Sequence, residues 1–74
     1  MSATISMLDV VAVTSDVLDR GLVRGQVGTV VDMLAPGVYE IEFANDAGET
    51  YAEFALREDQ LMVLHYEPHT AASP

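Results

Sequence analysis

The chain has 74 residues, with 12 Asp and Glu against three Arg and no Lys, and a formal net charge of −9 with histidine neutral. That length supports one small core and excludes a second domain; it leaves little room for a cleft that holds a nucleophile and a base, so no enzyme is expected. The charge argues against a polyanion-binding surface, because three arginines displace few condensed counterions, and the lack of cysteine excludes disulfides and thiolate metal sites.

In chain order, residues 1–6 read as a frayed leader, residues 7–66 as the domain and residues 67–74 as a disordered tail of small and polar residues with two prolines. The opening MSATISMLDVVAV has no basic leader and only a short apolar run, so neither a secretory signal nor a membrane span is expected, and a cytoplasmic location is. Leu8 to Ser15, rich in valine, predicts a strand buried on both faces. A loop follows in which Gly21 and Gly25 permit tight bends. The run QVGTVVDML predicts a second strand, with Gly28 marking a bulge or a close backbone approach. Ala35-Pro36-Gly37 is turn chemistry.

In VYEIEFANDAGETYAEFAL, Tyr39, Ile41 and Phe43 alternate with Glu40 and Glu42, the period of a strand with one wet face. The Asn45 to Gly48 loop predicts a hairpin with a bulged or four-residue turn. Pairing Ala44 with Glu49 sets Tyr39 opposite Phe54, Ile41 opposite Ala52 and Phe43 opposite Thr50, all inward. On the outer face Glu42 then meets Tyr51 and Glu40 meets Glu53, with Glu49 next along. Arg57 to Gln60 suits one helical turn, and LMVLHY predicts a fifth strand. The expected fold is all-β, a small five-stranded SH3-like barrel with a single helical turn before the last strand.

Several residue groups invite chemical readings. The glycines of DRGLVRGQVGTVV are not followed by the Lys-Ser/Thr of a phosphate loop, nor does the last of them open a helix, so they are bends. His65 and His69 have a zinc-like spacing, but Pro68 interrupts it and no further ligand converges; no metal and no cofactor are expected. Ser15, Asp16 and His65 show no triad-like spacing. The outer hairpin face, with Glu40, Glu42, Glu49, Tyr51 and Glu53, reads as solvated or as a docking surface for a protein with a basic patch; a divalent-cation site is disfavoured, because a strand face offers its carboxylates in a row and does not wrap an ion. The surplus valines of the first two strands leave apolar surface for self-association into a homo-oligomer.

The runs LDVVAVTSDV, GLVRGQVGTVV, YEIEFANDAGETYAEFAL and DQLMVL together resemble a family of short bacterial proteins, domain of unknown function 4926. The family name carries no activity, so the resemblance implies an SH3-like fold more than a chemistry. LVRGQVGTVV is also similar to the glycine-containing loop of ribosome- and transcription-associated KOW domains, without their surrounding lysines. Two functions are therefore carried forward. One is a non-enzymatic acidic interaction module, such as an inhibitor or immunity-type partner of a neighbouring bacterial protein. The alternative is a KOW-like nucleic-acid or ribosome-associated accessory that uses Arg20 and Arg24, which the charge disfavours.

Overall fold

A computed structural model describes residues 5–65. The fold is all-β. Strands β1 (Val10–Val13), β2 (Val27–Ala35), β3 (Val38–Ala44), β4 (Thr50–Arg57) and β5 (Leu61–Val63) form one antiparallel sheet in the order β4-β3-β2-β1-β5. Two short 3-10 turns, η1 (Leu18–Arg20) and η2 (Glu58–Gln60), interrupt the connections. The second is the helical turn expected before the last strand; the first is an addition inside the long early loop. Among the described residues no helix is long and apolar enough to cross a membrane.

Alternation places the core. Ile41 and Phe43 are fully buried on β3, and Val30 opposite Ile41, Val11 and Val13 on β1 and Leu22 in the early loop close over them. Gly28 lies on the same inner face, opposite Val11. A Cβ there would stand 2.6 Å from Ile41 Cγ2, 2.9 Å from the Glu42 carbonyl oxygen and 3.0 Å from Phe43 Cδ1. The close approach expected at Gly28 is what lets two large β3 side chains sit under β2.

The β3–β4 hairpin keeps the expected faces but not the expected partners. Asn45 sets the turn: its N–H donates to the Glu49 carbonyl (2.9 Å), its carbonyl accepts from Gly48 N–H (2.9 Å), and its Oδ1 accepts from the N–H groups of Ala47 and Glu49 (3.0 Å each). Glu49 is thereby held in the loop, and the first pair becomes Ala44 with Thr50. A bulge between Phe43 and Ala44 then leaves Tyr51 without a partner and adds a second residue of slip. One residue of slip would exchange the faces; two restore them. Tyr39 consequently pairs with Leu56, Ile41 with Phe54 and Phe43 with Ala52, all still inward, while Glu53 moves from Glu40 to Glu42.

The sheet is not closed by strand pairing among the described residues, because β4 and β5 are its two edges. An open barrel is compatible with this order, and side chains of the early loop cover part of the gap. The Arg20 guanidinium carbon stands 5.0 Å from the Phe54 ring centroid, and Gln26 Nε2 donates to the Tyr51 hydroxyl at 2.7 Å.

β1 starts later than expected because Ser6 to Asp9 forms a turn, in which Asp9 N–H donates to the Ser6 carbonyl and Ser6 N–H to Asp9 Oδ2, and it ends earlier, at Val13, where Thr14 and Ser15 bend. Ile5, inside the leader expected to fray, is buried in the core. Residues 1–4 and 66–74, including the expected tail, Tyr66 and His69, lie outside the described residues.

Candidate functional site

Cross-strand pairing builds the outer face of β2, β3 and β4. Glu42 and Glu53 are directly opposite on β3 and β4, and Glu40 is directly opposite Asp32 on β2. Because Glu40 and Glu42 are two residues apart on one strand, all four carboxylates share one face. Thr29 flanks Glu42 on β2 and Ala55 flanks Glu40 on β4. Arg57 lies at the end of the same face, opposite Val38, but its Nε donates to Asp59 Oδ1 at 3.1 Å. That is the one ion pair among the described residues, so none of the four carboxylates is neutralised by a salt bridge there.

Of the residues expected on this face, Glu40, Glu42 and Glu53 are there. Glu49 is not: it stays in the turn, where its Oε1 accepts from Asn45 Nδ2 at 3.0 Å. Tyr51 is not there either. The bulge turns it toward the core side, its ring centroid 6.3 Å from that of Phe43 and its hydroxyl tied to Gln26. Asp32 takes the place of these two. Its pairing with Glu40 depends on the register shift between Met33 and Ala35; without it the Pro36-Gly37 turn would set Asp32 opposite the inward Ile41.

Arg20 and Arg24 are not brought to one surface. Arg20 lines a cleft of about 230 Å³ together with Arg57 and Gln60, between η1 and the end of β4. Arg24 lines a different cleft of about 390 Å³, with Ala12, Val13 and Met62, and its backbone N–H donates to Asp16 Oδ1 at 2.7 Å. Convergence of Arg57 on Arg20 carries no sequence signal, since η1 is too short to show a period and Arg57 is 37 positions away by its number. His65 and Ser15 are exposed. Among the described residues no three His, Cys, Asp or Glu side chains are arranged to hold a metal ion. Of the valines expected in surplus, Val11, Val13 and Val30 fill the core, while Val27 is exposed on the outer face beside Met62, both paired with Ala12.

The family model for domain of unknown function (DUF4926) matches residues 7–63. The chain belongs to the DUF4926 family. No curated protein and no solved structure matches it. The DUF4926 match ends at the last residue of β5 and begins in the turn ahead of β1, so the four carboxylates and the residues lining both clefts fall inside it.

Proposed function

We propose that this DUF4926 domain is a non-enzymatic interaction module that receives a basic protein surface on the outer face of β2, β3 and β4. The observation that carries the reading is the double row of opposed acids, Glu42 with Glu53 and Glu40 with Asp32. Like charges directly opposite across strands oppose folding, and no salt bridge among the described residues offsets them. A partner with Lys and Arg at matching spacing relieves that repulsion on binding and is steered to the face by its field. The net charge of −9 extends the same attraction beyond the contact itself. A concrete form of this role is an inhibitor or immunity-type partner that covers the basic active-site surface of a bacterial toxin.

The test is binding of the intact chain to the purified product of the adjacent gene, measured at several salt concentrations. Wild type binds with an affinity that falls as salt rises, and the double reversal Glu42→Lys with Glu53→Lys weakens binding at least about 30-fold, the loss expected when two charge contacts of about 1 kcal/mol each are removed, before any new repulsion is counted. Equal binding by that variant, in a chain whose thermal unfolding remains cooperative, sinks the proposal. Low-salt binding of the wild-type chain to RNA would instead favour the nucleic-acid reading.

A further inference from the structure

We infer that the cleft between η1 and the end of β4 is a binding site for a small apolar carboxylate, of about the size of the last residue of a polypeptide. Two of the three cationic side chains of a chain with net charge −9 line it, Arg20 from one wall and Arg57 from the other. Neither has its full hydrogen-bonding capacity spent on a carboxylate. Arg20 is in no ion pair among the described residues; the Phe54 ring, 5.0 Å from its guanidinium carbon, holds it instead. Arg57 meets Asp59 through Nε alone, which leaves both terminal amino groups for another acceptor.

Gln60 adds to this polarity. Its Oε1 accepts the Arg57 backbone N–H at 2.8 Å, and its NH2 group, in no hydrogen bond among the described residues, is available as a donor. The polar side chains at the cleft are thus donors, with the exception of Asp19. That acid disfavours a doubly charged ligand. The remaining lining residues are apolar: Leu56 is buried behind the cleft, and Val17, Val38 and Ala55 offer a small apolar strip beside the more extensive polar surface.

Size and charge narrow the ligand further. A cleft of about 230 Å³ falls below the roughly 300–1,000 Å³ of sites for drug-sized ligands and so suits a ligand smaller than a nucleotide. The net negative field of the chain repels anions at long range, so charge alone does not retain one and an apolar body must supply part of the affinity. A planar monocarboxylate accepts from guanidinium groups in favourable geometry, and a short aliphatic group rests against Val17, Val38 and Ala55. Both the terminal residue of a polypeptide and a free branched-chain acid have this chemistry. The site borders the acidic face through Val38, Ala55 and Arg57 but uses none of its four carboxylates, so either can fail without the other.

The test is titration of the 15N-labelled intact chain, followed by amide shifts, with four probes: N-acetyl-leucine, isovalerate, N-acetyl-leucinamide and inorganic phosphate. Saturable shifts centred on Arg20, Val38, Arg57 and Gln60 are expected with the carboxylates, at dissociation constants on the order of 1 mM for ligands of so few atoms. Tighter binding of N-acetyl-leucine than of isovalerate assigns the site to a chain end, and the reverse assigns it to a free acid. Arg57→Gln and Arg20→Gln each weaken binding about tenfold, whereas Arg24→Gln, in the other cleft, leaves it unchanged. If Arg20→Gln disturbs the fold through Phe54, the exposed Arg57 carries the comparison. The inference is overturned if neither carboxylate gives saturable shifts, if the uncharged amide or phosphate binds as well as the carboxylates, or if Arg57→Gln binds like wild type.

Discussion

Replacing Glu53 by Lys should stabilise the domain, and the gain should vanish in salt. Glu53 stands directly opposite Glu42, with Glu40 and Asp32 forming the next row. For carboxylates about 6 Å apart, Coulomb's law in water gives about 0.7 kcal/mol of repulsion, and reversing one charge swings the pair by twice that. With a Debye length of about 30 Å at 0.01 M and about 3 Å at 1 M salt, the swing is about 1.2 kcal/mol in the first and about 0.2 kcal/mol in the second. In a domain of this size that corresponds to a rise in melting temperature of about 5–9 °C at low salt and about 1 °C at high salt. Thermal unfolding followed by circular dichroism at the two salt concentrations measures it. Glu49→Lys is the control: Glu49 has no carboxylate opposite it and accepts from Asn45, so its reversal relieves only the general negative field, loses that bond, and gains well under what Glu53→Lys gains. A Glu53→Lys chain that melts lower than wild type at 0.01 M salt, or higher by the same margin at both salts, refutes the opposed-acid account. If the stabilised variant also loses its partner, the repulsion is shown to be retained for binding.

What could be read ahead of the structure was whatever depends on near neighbours in the chain. The alternation of Tyr39, Ile41 and Phe43 with Glu40 and Glu42 sets the two faces of β3 by a period of two residues, and the observed burial follows it. The Asn45 to Gly48 turn and the close approach at Gly28 were legible for the same reason. Partner identity across the hairpin was not, because it sums a turn length and a bulge. The five-residue span Asn45 to Glu49 depends on side-chain hydrogen bonds of Asn45, and the bulge at Tyr51 is fixed by contacts with Phe43 and Gln26. Both are invisible to a pattern of apolar and polar letters, and their sum of two left the faces correct while moving Glu53 to Glu42. Asp32 was missed through a similar register shift on β2, and the Arg20 and Arg57 cleft because η1 packs on β4 through long-range contacts.

Gly28→Ala should cost about 2 kcal/mol: overpacking costs about 1–3 kcal/mol, the obstacles include the backbone of Glu42 and the fully buried Ile41, and reduced freedom of the unfolded chain returns about 0.4–1 kcal/mol. Urea denaturation reads it, and an unchanged midpoint would mean that β2 and β3 do not approach as closely as described. Asn45→Ala, which removes the acceptor of two backbone N–H groups and a donor to Glu49, should cost about 1–2 kcal/mol, with Asn45→Asp losing less because it keeps the acceptor. Tyr51→Phe removes the hydroxyl that receives Gln26 Nε2 at 2.7 Å and leaves the ring on Phe43. If the early loop is tied to the β4 edge through that bond, hydrogen exchange at residues 17–26 should quicken by roughly fivefold, the effect of losing about 1 kcal/mol from a local opening, while the amides of Ile41 and Phe43 keep their protection. Affinity for a basic partner should not change, since the bulge has taken Tyr51 off the acidic face. Faster exchange throughout the sheet would instead make the hydroxyl part of the global fold, and a weakened partner complex would return Tyr51 to the binding surface.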